Sequence, residues 1–341
     1  MINSTVGPYQ ILEKIGEGGM GVVYKAVDVK SERVVAIKTL KDSVDPSSET
    51  FVRFKKEAQL LEHLNHSNIL RFLEFYELEG KLFIVTEYLR GANLKQLIGK
   101  NDLTHDKKVA LVLQLARALD YVHSQGIIHR DIKPSNIMVV EDNRVPKMLD
   151  FGIANLMNIQ KLFSVQLEGV AGSFAYMSPE QSGILKRNID TRSDLYSLGI
   201  LFYQFITGQL PYDAHDVGEL IHQHIAKMPE NPGELVEGLS PIVSKIILKL
   251  MRKDPDDRYQ TAHGLAEDIQ TYLDLNEEQK QTFYLELGKK DRIKNLNYRT
   301  QLIGRKREIK RMLGHLNNTI LSQGAVSVII GKSGVGKSRL I

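Results

Sequence analysis

The first ninety residues alternate polar segments with short runs that are rich in β-branched and aromatic residues. Three runs, VVYKAVDV, RVVAIKTL and KLFIVTEYL, have the composition of strands, and LEGK has the composition of a hairpin turn. One apolar series instead repeats at helical spacing, with Ser47 or Ser48 as a candidate N-cap. Its members are Phe51, Phe54, Ala58, Leu61 and Leu64. The pattern predicts a small lobe made of strands and one helix.

The character of the chain changes near residue 104, where long helical patterns begin. In KKVALVLQLARALDYVHSQG the apolar residues share one helical face, and Gly126 is a stop signal. That face consists of Val109, Val112, Ala116 and Leu119. Helical patterns continue to about Leu275. Residues 276–300 are polar and lack strong periodicity, so we expect a linker with some helix there, followed by a new unit at 301–341.

Composition narrows the classes of function. Apolar residues make up 42% and charged residues 25% of the 341 positions, which is typical of a soluble globular protein. The formal net charge of +4 is too small to argue for nucleic acid or an anionic membrane. The chain has no cysteine, which excludes disulfides and cysteine metal sites. No signal sequence or bilayer-spanning apolar run is present, so we expect a cytoplasmic protein without nucleic-acid or membrane partners.

The segment GEGGMG contains Gly16, Gly18 and Gly21 in the pattern GxGxxG. By itself this pattern is weak evidence, because clustered glycines also form ordinary turns. A dinucleotide site needs a helix directly after the loop. The next residues, VVY, favour a strand. The loop is therefore predicted to be a hairpin that could lie over phosphate groups.

Lys38 closes the predicted strand VAIK, and Glu57 lies on the apolar face of the predicted helix. A carboxylate on that face must be paired or neutral, because an isolated buried charge is costly. Lys38 is the available partner. The pair could be purely structural, or it could hold the lysine in position to bind phosphates.

Three side chains with oxygen donors follow in two loop segments. HRDIKPSN contributes Asp131 and Asn136, and MLDFG contributes Asp150. Mg²⁺ prefers oxygen ligands and keeps several waters, so two protein ligands and phosphate oxygens suffice to bind it. Asp131 could accept a proton from an attacking hydroxyl group.

These motifs together resemble the protein kinases. GEGGMG, VAIK, Glu57, HRDIKPSN, DFG, SPE, TRSDLYSLGIL and DPDDRY occur in the family's order. The resemblance covers roughly residues 7–275. It implies an α+β, bilobal kinase-like fold with a small β-rich N-lobe, a larger helical C-lobe and ATP bound in the cleft. A C-terminal linker and an incomplete P-loop α/β segment would follow.

The resemblance implies a role for each catalytic residue. Lys38 would contact the α- and β-phosphates of ATP, and Glu57 would orient it. Asp131 would be the catalytic base, and Lys133 would steady the transferred γ-phosphate. Asn136 would hold Mg²⁺ or Mn²⁺ together with a second ligand.

That second metal ligand would be Asp150. The remaining ATP contacts implied by the resemblance lie along the strands of the small lobe and the segment after them. They are Ile15, Gly16, Gly18, Gly21, Val23, Ala36, Lys38, Thr86, Glu87 and Leu89. Thr86 is small, which predicts an open pocket behind it.

The resemblance also implies structural pairs. Glu180 should pair with Arg258 in the large lobe, and Asp194 should anchor an internal hydrophobic column. That column would consist of Leu61, Phe72, His129 and Phe151. Phe174 stands where the family often has proline.

The resemblance also implies a substrate class, because Lys133, two residues after Asp131, resembles serine/threonine kinases. YMSPEQ and the short lobes without inserts resemble the bacterial type. We therefore expect protein substrates that bear Ser or Thr, with dimers able to phosphorylate themselves. Arg130 is a candidate to bind a phosphate at Ser164. Ser164 could instead be an ordinary polar residue, or its apolar surroundings could form a short inhibitory helix.

A second phosphate-binding motif closes the sequence. GKSGVGKS fits the Walker A pattern, and AVSVII before it favours the required strand. Its key residues are Gly331, Gly336, Lys337 and Ser338. The upstream LIGRKREIKRML resembles the opening of AAA-like and signal-transduction NTPases. Since the chain stops three residues after Ser338, we expect the front part of a larger signalling protein.

One alternative comes from a different class of function. The chain could be a non-catalytic, kinase-like module that controls the downstream NTPase. Such modules typically lack the phosphate-binding lysine, the catalytic aspartate or the metal aspartate. Lys38, Asp131 and Asp150 are all present, which favours an active enzyme.

Overall fold

The computed structural model describes residues 2, 4–18, 21–41, 43–45, 47–78, 80–100, 103–141, 144–151, 174–185, 187–214 and 216–291. Contacts divide the chain into two compact units, Met1–Arg292 and Ile293–Ile341. The second unit, with the expected P-loop segment, lies outside the described residues, as does Ser164.

A six-stranded antiparallel sheet forms the small lobe, in the order β1-β2-β3-β4-β6-β5. The three strands and the hairpin predicted from the sequence are all present. One face of the sheet has its own small core, which includes Ile11, Val35, Ile37 and Val85. The strands are β1 (Thr5–Val6), β2 (Tyr9–Glu17), β3 (Gly21–Asp28), β4 (Val34–Leu40), β5 (Phe72–Leu78) and β6 (Lys81–Glu87).

Helix α1 (Glu49–Glu62) interrupts the strands, as the apolar spacing predicts. Ser48 is its N-cap, because the Ser48 hydroxyl accepts a hydrogen bond from the Phe51 N–H at 3.3 Å. The predicted face buries Phe54, Ala58 and Leu61. The helix therefore packs against the sheet and places Glu57 on the same side.

The large lobe is helical and contains most of the core. Its main predicted helix is α3, whose four predicted face residues are fully buried. Gly126 follows that helix with φ +75°, a conformation that glycine adopts readily. The helices are α2 (Leu94–Leu97), α3 (His105–Ser124), α4 (Thr191–Thr207), α5 (Val217–Ala226), α6 (Pro232–Leu235), α7 (Pro241–Leu250), α8 (Ala262–Leu273) and α9 (Glu277–Thr282).

A second, three-stranded sheet positions the loops that carry the polar motifs. It consists of β7 (Gly91–Asn93), β8 (Ile137–Val140) and β9 (Pro146–Met148), in that order. β8 begins directly after Asn136, and β9 ends two residues before Asp150. The pairing of β8 with β9 therefore holds these two side chains in one region. Within the described ranges, no helix is both long enough and apolar enough to span a bilayer.

The segment expected to be a linker packs on the large lobe as far as residue 291. In α9, Lys280 is buried and its ammonium group donates to Asp106, which also accepts the Tyr272 hydroxyl hydrogen bond at 2.7 Å. Asp291 accepts hydrogen bonds from the N–H groups of Gln260 and Thr261, at 2.6 and 2.9 Å. Leu285 and Leu287 also pack against the large-lobe core. The segment therefore has the helix that was expected, and polar anchors together with a few apolar contacts attach it to the lobe.

Removal of this segment should destabilise the lobe. We expect a chain that ends at residue 275 to lose about 3 kcal/mol or more in free energy of unfolding, relative to a chain that ends at 292. The reason is that Asp106 and the N-terminus of α8 lose charged partners. Chemical denaturation of both chains, followed by circular dichroism, measures the difference.

Gly264→Ala is a single-site control for the same contact. A Cβ atom there would lie 2.5 Å from the Cβ of Asp291. Alanine normally favours a helix over glycine by up to about 1 kcal/mol. Here it should lower the stability of the longer chain and leave the shorter chain unharmed. Equal stability of the 275 and 292 chains would contradict the account.

Candidate active site

One face of the small-lobe sheet lines a cleft with residues predicted to contact a nucleotide. Val23 pairs with Lys38 across β3 and β4, and Ala36 pairs with Thr86 across β4 and β6. Paired residues share a face of a sheet, as do residues two positions apart along a strand. Val23, Ala36, Lys38 and Thr86 therefore point to the same side.

The glycine motif lies at the β2–β3 hairpin, as the sequence predicts, and Gly18 and Gly21 serve different purposes there. The Gly18 N–H donates to the Gly21 carbonyl at 2.9 Å, which closes the turn. A Cβ on Gly21 would lie 2.4 Å from the Thr39 carbonyl oxygen, so no side chain fits there. A Cβ on Gly18 would meet no atom within 4 Å. The loop therefore leaves open space beside its backbone. Ile15 precedes the motif and is exposed.

Lys38 stands at the centre of the site. Its ammonium group donates to Glu57 at 2.8 Å and to Asp150 at 2.7 Å. Desolvation lowers the pKa of Lys38, but the two carboxylates outweigh it and raise the pKa above its usual value. The lysine is therefore a fixed positive charge. The predicted pairing of Lys38 with Glu57 is confirmed.

Asp150 opens to the cleft, with 53% of its side chain exposed. Desolvation by the surrounding protein raises its pKa, but the Lys38 ammonium outweighs this and holds the pKa below its usual value. Asp150 is therefore an anion at neutral pH, with one carboxylate oxygen on Lys38.

Asp131, Lys133 and Asn136 form a compact hydrogen-bonded group in the loop before β8. The Lys133 ammonium lies 2.8 Å from the Asp131 carboxylate. The Asn136 amide nitrogen donates to the same carboxylate oxygen at 2.8 Å and to the Asp131 carbonyl at 3.0 Å. Because its nitrogen is engaged, the amide oxygen of Asn136 is the atom left for a cation.

The backbone of this loop is held by Asp194, which lies in the first turn of α4. Its carboxylate accepts the N–H groups of His129 and Arg130, both at 2.8 Å, and bonds to the ring of His123 at 2.8 Å. Burial raises the pKa of Asp194, but these partners outweigh it and lower the pKa below its usual value. Arg130 has φ +66°, a strained conformation for arginine that these bonds stabilise.

The two central members of the hydrophobic column implied by the resemblance, His129 and Phe151, are in contact. The rings of His129 and Phe151 lie 4.6 Å apart, and both side chains are buried. Burial lowers the pKa of His129, so it packs as a neutral ring. Leu61 is buried and Phe72 is partly buried in the same core.

The last residue of β6, Glu87, and Leu89 just after the strand are the last two predicted contacts. The Glu87 side chain is committed elsewhere, because it pairs with Lys147 at 2.6 Å and accepts the Arg71 N–H at 2.8 Å. Only the backbone carbonyl of Glu87 could serve a ligand, since its N–H donates to the Arg71 carbonyl. The sequence analysis did not identify Lys147 as a site residue. Its only signal in the sequence is a charged residue within the otherwise apolar strand β9.

Asn68 is a second residue that the sequence did not reveal. Its buried side-chain nitrogen donates to the Pro146 carbonyl at 2.9 Å, and its backbone carbonyl accepts the Met148 N–H at 2.8 Å. Both bonds are made to β9. Asn68 therefore fixes the strand that leads to Asp150.

The pair of Glu180 and Arg258 is also present, with both side chains at most 1% exposed. Arg258 donates to the two Glu180 oxygens at 2.7 and 2.9 Å. Phe174, at the family's usual proline position, is buried against the same lobe.

Among the described residues, no group of three His, Asp or Glu side chains could hold a metal ion. The cleft does offer Asp150 and Asn136, two hard oxygen donors, one of them anionic. This set fits Mg²⁺ or Mn²⁺ only when a ligand such as a nucleotide supplies further oxygens.

Comparisons with known proteins agree with this geometry. The family model of the protein kinase domain matches residues 9–270. A probable serine/threonine-protein kinase of Clostridium perfringens is 38% identical over 272 residues, which cover 79% of this chain and 39% of that protein. Serine/threonine-protein kinase PknB of Mycobacterium tuberculosis is 35% identical over 266 residues, which cover 76% of this chain and 42% of that protein.

Solved structures support the fold. The kinase domain of Mycobacterium tuberculosis PknI, solved as a double mutant, aligns with a TM-score of 0.61 and 22% identity, over 80% of this chain and 98% of that one. The chain spans about two fifths of the length of the curated relatives it matches. From the motifs, the geometry and these relatives, the chain belongs to the protein kinase family and is similar to its serine/threonine-protein kinases.

Proposed function

We propose that this chain transfers the γ-phosphate of ATP to Ser or Thr hydroxyl groups of proteins, with Mg²⁺ or Mn²⁺. One observation carries the proposal: Lys38, Glu57 and Asp150 form one bonded set, and Asp131, Lys133 and Asn136 form a second one in the loop before β8. Phosphoryl transfer requires little covalent work from the protein, so positioning and fixed charge are the main requirements.

Asp131 supplies the base. Its carboxylate forms an ion pair with Lys133 and accepts a hydrogen bond from the Asn136 amide, and these two contacts fix its orientation. A substrate hydroxyl at hydrogen-bond distance would give its proton to Asp131 as the oxygen attacks phosphorus. Lys133 would then lie beside the negative oxygens of the transferred group.

Lys38 supplies a permanent positive charge for phosphate oxygens, and Glu57 keeps it at the cleft. Asp150 and Asn136 would hold the metal ion together with phosphate oxygens. When bound, the ion neutralises charge that develops on the phosphates. Thr86 and the backbone of Glu87 and Leu89 would border the adenine.

The non-catalytic alternative receives no support from the site. A module that only regulates would not need the Lys38–Glu57 ion pair and a fixed base together. A P-loop module after residue 300, cytoplasmic location, paired kinases that phosphorylate each other, and control through Arg130 and Ser164 stay predictions.

The metal requirement tests the proposed chemistry. The purified chain should phosphorylate myelin basic protein with ATP and Mg²⁺, EDTA should abolish this, and excess Mg²⁺ or Mn²⁺ should restore it. Asp150→Asn should reduce the rate by at least about 100-fold, since electrostatic stabilisation of phosphates is weakened.

Asp257→Asn is a matched control for the loss of one carboxylate. Asp257 is exposed and lies far along the chain in the large lobe. This variant should keep the wild-type rate. Metal-independent transfer, or full activity of Asp150→Asn, would overturn the proposed roles.

A further inference from the structure

A cavity in the large lobe lies apart from the nucleotide cleft. Its volume is about 220 Å³, it is partly open to solvent, and it is lined by residues of β7, β8, α2, the start of α3, the end of α4 and the adjoining loops. Its walls are mainly apolar, with Leu97, Val139 and Phe205 among them. Pockets for drug-sized ligands usually exceed about 300 Å³. This cavity is therefore of the size for a small ligand rather than a nucleotide.

Lys108 gives this mainly apolar cavity a positive charge, which favours a negatively charged ligand. The side chain lines the cavity, and the residue is only 7% exposed. Its ammonium lies 5.5 Å from the centre of the Phe205 ring. Among the residues that the structure describes, no carboxylate or carbonyl forms an ion pair or hydrogen bond with it. The ammonium nitrogen is not among the fully enclosed polar atoms that lack a partner, so it keeps some contact with the open cavity. A partly desolvated ammonium without an acceptor is still costly.

The local field adds to that cost. Lys108 lies in the first turns of α3, where the partial charge of the helix is positive and favours anions. Asp106 lies in the same turn, but residues two positions apart on a helix do not share a face. The Asp106 carboxylate is also engaged by Lys280 and Tyr272. Desolvation accordingly lowers the pKa of Lys108.

The lining of the cavity carries charges of both signs. Arg144 and Glu141 belong to it, and neither forms an ion pair with Lys108 in the described part of the chain. An anion that entered would therefore find two cations, Lys108 and Arg144, among the lining residues. Glu141 would disfavour a ligand with several negative charges, so a single charge fits better.

We propose that this cavity binds a small monocarboxylate with an apolar body, whose carboxylate pairs with Lys108 and whose body packs against Leu97, Val139 and Phe205. Binding would touch β8, which begins directly after Asn136, and so reach the catalytic loop through a short segment. The inference concerns a separate site and does not depend on the proposed kinase activity.

Calorimetric titration with two matched probes tests the site. The charged probe is 4-phenylbutyrate, and the neutral one is 4-phenylbutan-1-ol, which keeps the same ring and chain. We expect the carboxylate to bind one site per chain, about ten- to hundredfold more tightly than the alcohol, because hydrogen bonds to charged groups are the stronger ones. Equal affinities, or no binding of the carboxylate, would overturn the proposal.

Lys108→Met locates the binding. Methionine keeps much of the apolar side chain and removes the charge, so carboxylate affinity should fall to that of the alcohol. Lys107→Met removes an exposed neighbouring lysine and should change neither affinity. Retained carboxylate affinity in Lys108→Met would overturn the assignment.

Thermal melting checks that the variant is folded. Because Lys108→Met removes a partly desolvated charge that has no acceptor among the described residues, its melting temperature should equal or exceed that of the wild type. The carboxylate should raise the melting temperature of the wild type and of Lys107→Met only. An equal rise in Lys108→Met would place the binding elsewhere and contradict the proposal.

Discussion

Asp131→Asn should abolish phosphate transfer while the fold stays intact. Asparagine keeps the size of the side chain and its bonds to the loop, but it cannot accept the hydroxyl proton. Loss of a positioned general base typically costs about 10²- to 10⁴-fold in rate. The measurement is the initial rate of phosphorylation of myelin basic protein, with nucleotide binding assayed in parallel.

The phosphorylation rate and the ATP affinity of Asp131→Asn should respond differently. ATP affinity should change little, because Asp131 is bonded to Lys133 and Asn136 rather than to Lys38. Asp257→Asn again serves as the control and should match the wild type. Wild-type rates in Asp131→Asn would refute the assignment of the base.

Arg258→Met should cause the largest loss of stability among single substitutions at described ion pairs. Arg258 uses every one of its donors: two bonds to Glu180 and one each to the carbonyls of Arg252, Arg192 and Lys253. Removal of one partner of a buried pair typically costs about 3–5 kcal/mol. Three carbonyls would also lose a donor. Urea denaturation measures this loss.

Arg187→Met is the matched control at the surface. Arg187 also makes a bidentate pair, with Asp254 at 2.7 and 2.9 Å, but its side chain is 45% exposed. Exposed pairs contribute at most about 1 kcal/mol. If both variants lose the same stability, burial is not what gives the Glu180–Arg258 pair its importance.

The local parts of the fold were predictable because their signals lie within a few residues. Short runs rich in β-branched and aromatic residues indicated the strands, and the serines at 47 and 48 indicated the start of α1, which Ser48 caps. The Lys38–Glu57 pair was predictable on physical grounds, since a carboxylate on an apolar face requires a cation. The pairing of Glu180 with Arg258 could be anticipated only through the family resemblance, because 78 residues separate the two.

Contacts between residues far apart in the chain could not be predicted from the sequence. Lys147 joins Glu87 across 60 positions, and no periodicity connects a charge in β9 with the end of β6. Asp291 bonds to the start of α8 from 30 positions away, so a polar segment looked like a linker. Lys108 occupied an ordinary helical position, and only packing showed that it is buried beside a cavity.

The central claim is that this chain transfers phosphate to Ser or Thr. The most direct measurement incubates the purified chain with γ-labelled ATP, Mg²⁺ and myelin basic protein, and then identifies the labelled amino acids after acid hydrolysis. We predict phosphoserine and phosphothreonine with the wild type and no label with Asp131→Asn. Label on tyrosine alone, or equal labelling by both proteins, would contradict the account.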